Sequence, residues 1–183
     1  QIVTSATYRQ SAARTKAKME ADPENRYYSY ASRLRLSAEF TRDHVLASSG
    51  LLVPEIGGPS VKPYQPPGIW EAVGYTDSNT RNFKRDSGTA LYRRSMYTFW
   101  KRTAPPASMD IFNAPSREAC TVHRERTNTP LQALVTLNDP QFVEAARALA
   151  QRALKEGSAT PRQGIDFIYL RLLARTPPDQ ERS

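Results

Sequence analysis

Apolar residues recur at helical spacing near both ends of the chain. Ser37 has the character of an N-cap and Gly50 that of a helix stop, which predicts a helix between them. Side chains three and four positions apart share a face of a helix. The predicted inward face of this helix consists of Phe40, His44, Ala47 and Leu51.

Three consecutive start signals predict helices in the last third of the chain. Thr129 followed by Pro130 and Gln132 forms a capping box with proline at the first helical position. Asp139 caps a second helix that ends at Gly157, and Thr160 starts a third. The predicted inward residues are Leu131, Leu134 and Val135 on the first, Phe142 or Val143, Ala146, Leu149, Ala150 and Leu154 on the second, and Ile165, Ile168, Tyr169, Leu172 and Leu173 on the third.

The pattern is less regular elsewhere. We expect the tail of a helix at 2–11, a solvated loop at 12–21, and a short helix that begins at Asp22-Pro23 and carries Tyr27 and Tyr28. From Gly57 to Gly68, seven of twelve residues are glycine or proline, which excludes a helix or an interior strand. The segment is predicted to be an extended, polyproline-like arm anchored by Tyr64, Ile69 and Trp70, followed by a polar loop.

The segment from Leu91 to Arg102 is compatible with two conformations. A helix would place Leu91, Ser95 and Phe99 on one face, whereas a strand would suit the aromatic residues but shows poor alternation. The pattern favours a helix that ends at Pro105-Pro106, with irregular structure from 107 to 116.

These elements predict a mainly α fold, a helical domain with a long irregular proline-rich arm and a central loop region. We expect a single domain over 1–183, with helices at 1–56, the arm and polar loop at 57–90, an aromatic-basic segment and irregular link at 91–128, and helices at 129–183. The opening Gln1-Ile2-Val3 and the helix-like start at 175–181 lead us to expect an internal fragment of a larger protein.

Composition narrows the possible chemistry. One cysteine and two histidines exclude an internal disulfide and a four-ligand Cys/His zinc site, so no metal site is predicted. No apolar run is long enough for a membrane span. Cys120 and His123 lie too close in sequence to indicate a catalytic pair, and no catalytic residue is assigned. The net charge of +8 favours an anionic partner.

Positive charge is concentrated between Arg81 and Arg126, where ten basic residues face four acidic ones among several aromatic side chains. This mixture suits binding of single-stranded nucleic acid or of an anionic sugar. It is equally compatible with a structural role, in which the arginines bind carbonyls and hold an irregular segment together. The candidate ligand- or partner-binding residues are Arg93, Arg94, Tyr97, Trp100, Lys101, Arg102, Arg124, Arg126 and Asn128.

Four long motifs resemble one family. They are TSATYRQS (4–11), GGPSVKPYQPPGIWE (57–71), LYRRSMYTFWKRTAPP (91–106) and CTVHRERTNTPLQALVTLNDPQFVEAAR (120–147). Together they are similar to the planctomycete domain of unknown function 1553, which is found toward the C-terminus of cytochrome-c-linked proteins. The chain departs from the family pattern at Asn113 and His123, which argues against a mechanism based on His123.

The resemblance implies an extracytoplasmic (periplasmic or secreted) module with no cofactor of its own and a c-type haem on a partner domain. The first hypothesis is an interaction or scaffolding role toward that haem-bearing domain. Part of a haem-linked enzyme acting on polysaccharide is the alternative, and an anionic polysaccharide is a possible partner. Nucleic-acid binding is a second alternative that the resemblance disfavours. Whether the chain is an enzyme stays open at this point.

Overall fold

The computed structural model describes residues 1–157 and 160–182, and in this part of the chain the fold is mainly α, as predicted. The helices are α1 (Lys16–Ala21), α2 (Ala38–Ser49), α3 (Ile69–Val73), α4 (Ala107–Ile111), α5 (Pro130–Asn138), α6 (Pro140–Glu156) and α7 (Pro161–Leu173). Short 3-10 helices lie at Ile2–Thr4, Gly88–Tyr92, Ser95–Tyr97 and Asp179–Glu181. None of the described helices is both long and apolar enough to cross a membrane.

The chain falls into two compact units, Gln1–Arg35 and Leu36–Ser183. In the first, α1 occupies the segment predicted to be a loop, and the helix predicted after Pro23 is wrong. The buried Asp22 carboxylate accepts hydrogen bonds from the backbone of Arg26 (2.7 Å) and Tyr27 (2.9 Å), which closes a turn instead of starting a helix. The single-domain prediction stays a prediction.

The core of the second unit forms where α2 packs on α4 and α6. Its buried cluster consists of Ala38, Met109, Phe112, Ala114 and Phe142. Val45, Trp100 and Val135 pack against this cluster from its edge. Helices α5, α6 and α7 follow one another along the chain, and each packs on the next. This core packs α2 against the C-terminal helices.

The start signals of the last three helices and the stop signal of α2 are confirmed. Thr129 and Gln132 form the capping box of α5, and Asp139 and Thr160 accept hydrogen bonds from the first turns of α6 and α7. Gly50 ends α2 in the left-handed conformation, with φ of 80°, which a residue without Cβ adopts at little cost.

The predicted inward faces are partly wrong. Phe40 and His44 of α2 are exposed, whereas Arg42 and Leu46 on the other side are buried. In α5 the buried residue is Gln132, and Leu131 and Leu134 are exposed. In α6, Phe142 and Leu149 are buried as predicted, but the other buried positions of the helix are Gln141, Ala145 and Ala153. Polar side chains are buried here because they bind main-chain groups inside the protein. A prediction from hydrophobicity alone assigns these interior positions to leucine.

The helix predicted at 91–102 is also wrong. This segment contains two 3-10 turns joined by extended backbone, with single bridges that pair Val53 with Arg93 and Val61 with Thr98. The arm at 57–68 is free of helix, as predicted, and Trp70 is its buried anchor. The indole of Trp70 contacts the rings of Phe83 and Phe99. We call residues 91–128 the central segment, and its first part, 91–102, is held by side-chain contacts in place of regular structure.

Candidate functional site

Arg42 on α2 is the centre of the polar contacts that hold the central segment. Its guanidinium donates to the carbonyls of Leu91 (2.9 Å) and Arg93 (2.8 Å), to Ser95 Oγ (3.2 Å) and to the Gln141 side chain (2.7 Å). We call this set the Arg42 cluster. Burial lowers the pKa of Arg42 to about 10, so the side chain remains a cation at neutral pH. Sequence reasoning missed Arg42, because a lone arginine within a helix gives no signal that it is buried.

Asp43, the next residue of α2, completes the attachment. Its carboxylate accepts from the backbone N–H of Ser95 (2.8 Å) and from Ser95 Oγ (2.7 Å). It also lies 3.7 Å from the guanidinium of Arg42. Two consecutive helix residues of opposite charge thus bind the main chain around Ser95, which is fully buried. This explains why the segment cannot form the predicted helix, since its backbone groups are already bound from outside.

Arg93 and Tyr97, both predicted binding residues, hold the start of the proline-rich arm. The buried Arg93 guanidinium donates to the carbonyls of Glu55, Gly57 and Pro59. It lies over the ring of Tyr97 at 4.0 Å, and the Tyr97 hydroxyl accepts from the backbone N–H of Gly57 at 2.8 Å. These contacts are those of a structural arginine, as in the alternative reading of the sequence.

Trp100 and Lys101 contact backbone in the same way. The Trp100 indole N–H donates to the carbonyl of Ser116 at 3.0 Å, and its ring is covered by the guanidinium of Arg117 at 4.3 Å. The Lys101 ammonium donates to the carbonyl of Thr80 at 2.8 Å and lies 5.0 Å from the ring of Trp70. Both side chains are thus held by contacts within the protein.

Glu144 on α6 joins the arm to the central segment through two tyrosines. Tyr64 donates to one carboxylate oxygen at 2.9 Å, and Tyr92 donates to the other at 2.7 Å. The hydrogen bond to Glu144, together with burial, raises the pKa of Tyr92 to about 12. Burial and the same carboxylate raise the pKa of Tyr64. Both phenols are therefore neutral donors under ordinary conditions, and no signal in the sequence predicted this contact.

One open cavity, of about 500 Å³, brings basic and apolar side chains together beside the N-terminus of α2. We call it the arginine groove, and it is lined by Ser37, Glu39, Phe40, Asp43, Arg94, Met96, Arg117 and Arg124. It contains two of the predicted binding residues, Arg94 and Arg124. Arg117 belongs to the basic segment noted in the sequence but was not singled out. Arg124 pairs with Glu39 at 2.9 Å, and Arg94 is exposed.

The remaining predicted binding residues do not line the groove. Arg102, Arg126 and Asn128 are exposed. His123 lies in a neighbouring cavity of about 360 Å³, which it shares with Asp110, Asn113 and Glu125. Across residues 1–157 and 160–182, no three histidine, cysteine or carboxylate side chains come together as a metal site requires. As binding residues, the nine candidates stay predictions.

Fold and site define a mainly α domain in which an irregular basic segment is attached to a helical core and borders an open arginine groove. The chain belongs to the PSD1 family, described as protein of unknown function (DUF1553), whose match covers residues 1–183. No curated protein and no solved structure matches the chain.

Proposed function

We propose that this domain is an interaction or scaffolding module that binds the acidic surface of a protein partner at the arginine groove. The proposal includes an extracytoplasmic location and a partner domain that carries a c-type haem. Both of these features come from the family resemblance and extend beyond the contacts described above.

The basic residues fall into two groups with different contacts, and this difference supports the proposed role. Arg42, Arg93 and Lys101 donate to main-chain carbonyls, and these bonds hold the fold together. Arg94 and Arg124 extend into an open groove instead. The single observation that carries the proposal is therefore the groove, where cations and exposed apolar side chains meet at one surface. Such a surface suits protein association, because charge steers the encounter and apolar contact stabilises the complex.

Binding to an acidic protein tests this function. The chain is immobilised and exposed to an acidic c-type cytochrome, to a basic cytochrome as the matched control, to heparin and to single-stranded DNA. We expect binding to the acidic cytochrome that weakens as salt rises from 50 to 300 mM, on the order of tenfold, and no binding to the basic one.

Two results would contradict the proposal. Absence of salt-dependent binding to any acidic protein would remove the interaction role. Equal or tighter binding to heparin or DNA would favour the alternatives from the sequence, an enzyme acting on anionic polysaccharide or a nucleic-acid-binding protein.

A further inference from the structure

Two large apolar side chains in the arginine groove are exposed. Phe40 and Met96 each expose 68% of their surface, although both border a cavity large enough to hold several side chains. Aromatic rings and methionine side chains are enriched at surfaces that become buried on association. The groove therefore combines exposed apolar side chains with charged ones.

We propose that the groove binds a peptide segment of a partner protein in which an apolar residue is flanked by acidic residues. This inference rests on the proposed function and specifies the chemistry of the partner. The apolar residue contacts Phe40 and Met96. The flanking carboxylates bind Arg94 and Arg117, since a guanidinium binds a carboxylate through two parallel hydrogen bonds.

Two of the three arginines, Arg117 and Arg124, are held in place before a partner arrives. Arg117 lies over the Trp100 ring, which reduces the freedom that binding would otherwise remove. Arg124 is paired with Glu39, and this ion pair marks one side of the groove. Arg94 follows directly on Arg93, whose buried side chain fixes the backbone at that point.

The two acidic residues of the groove favour a peptide over a polyanion. Glu39 and Asp43 stand against three arginines, so the groove offers separate positive sites instead of a continuous positive track. A sulfated polysaccharide or a nucleic acid carries charge at every repeat and would meet both carboxylates. A peptide with a few acidic residues avoids this conflict, and its apolar side chain can contact Phe40 and Met96.

Fluorescence anisotropy with synthetic peptides tests the inference. The parent peptide has a central Leu-Phe pair flanked by two glutamates on each side. One control replaces the pair with alanines, and the other replaces the glutamates with glutamines. We expect the parent to bind, and each control to bind about tenfold more weakly, because the two kinds of contact act together.

Variants locate the binding site. Phe40→Ser and Arg94→Glu should each weaken binding of the parent peptide about tenfold. The matched controls are Leu154→Ser, which changes an exposed apolar residue of α6, and Arg102→Glu, which reverses an exposed arginine outside the groove. Since all four side chains are exposed, the variants should fold, and circular dichroism checks this.

The results separate this inference from the proposed function. If Phe40→Ser and Arg94→Glu weaken binding of an acidic protein but the parent peptide does not bind, the proposed function stands and this inference fails. If an acidic protein binds and both variants leave that binding unchanged, the groove is not the site and both proposals fail there. If the parent peptide and the glutamine control bind equally, the charge contacts are absent and the inference fails. Displacement of the parent peptide by heparin or oligothymidylate at equal or lower concentration would assign the groove to polyanions and overturn it as well.

Discussion

Arginine has opposite roles in the Arg42 cluster and in the arginine groove. In the cluster, the acceptors of Arg42 are main-chain carbonyls and side chains inside the protein. In the groove, Arg94 is exposed and Arg124 makes an ion pair that is open to solvent. The two regions lie side by side, since Asp43 belongs to both. The role of an arginine therefore depends on its burial and on the acceptors that it contacts, and not on residue type alone.

Removal of Arg42 should cause the largest loss of stability. Arg42→Met keeps the length of the side chain but leaves the carbonyls of Leu91 and Arg93 without a buried donor. We expect the free energy of unfolding to fall by about 3–5 kcal/mol, as measured by urea denaturation. Arg42→Lys, which cannot reach all acceptors at once, should give an intermediate loss. A loss below about 1 kcal/mol for the methionine variant would erase the difference between cluster and groove.

Arg93→Met should lower the free energy of unfolding less than Arg42→Met does, although the two arginines are equally buried. Its acceptors belong to the exposed segment 55–59, so these carbonyls can turn to water once the guanidinium is gone. We expect a loss of about 1–2 kcal/mol in urea denaturation and faster proteolysis within the arm. A loss as large as that of Arg42→Met would show that the arm is part of the cooperative core.

Tyr92 predicts a pH dependence. Its pKa is raised to about 12 in the folded protein from 10.0, so folding favours the neutral phenol. The stability that comes from the Glu144 hydrogen bond is complete below pH of about 10 and is lost as the pH rises toward about 12. Between these two pH values Tyr92→Phe should lose less stability than the wild type does, as measured by urea denaturation at each pH. Tyr75→Phe, at an exposed tyrosine, is the control and should follow the wild type.

The smallest effect on stability is expected in the groove. Arg124→Ala breaks the ion pair with Glu39, in which the Arg124 side chain is 46% exposed. Because exposed ion pairs contribute little, we expect the free energy of unfolding to change by less than about 0.5 kcal/mol. Thermal denaturation measures this change. A loss comparable to that of Arg93→Met would mean that the groove is structural too.

The caps of the C-terminal helices and the end of α2 were predictable from the sequence, whereas the long-range contacts were not. The caps at Thr129 and Asp139 and the stop at Gly50 depend on neighbouring residues only, so the pattern located the helices they bound. The inward face of α2 depends on partners far along the chain. Phe40 has the hydrophobicity of a core residue, yet Arg42 takes the interior because carbonyls of the central segment need a donor.

The candidate site was predicted in part for the same reason. The charge pattern pointed to the central segment, and three of its arginines, Arg94, Arg117 and Arg124, line the groove. The pattern could not separate them from Arg93, which is buried and donates to the carbonyls of the arm. Phe40 joins the groove from α2, and its position was not predictable because it was assigned to the core.

The Arg42 cluster also bears on the order in which the protein folds. Its hydrogen bonds join residues that are 49 to 99 positions apart. Loops of this size close slowly compared with the capped turns of α5 and α6, which need only neighbours. We expect the C-terminal helices to form early and the central segment to dock in the final step. Pulsed hydrogen exchange at the amide of Ser95, which donates to Asp43, would follow this last event directly.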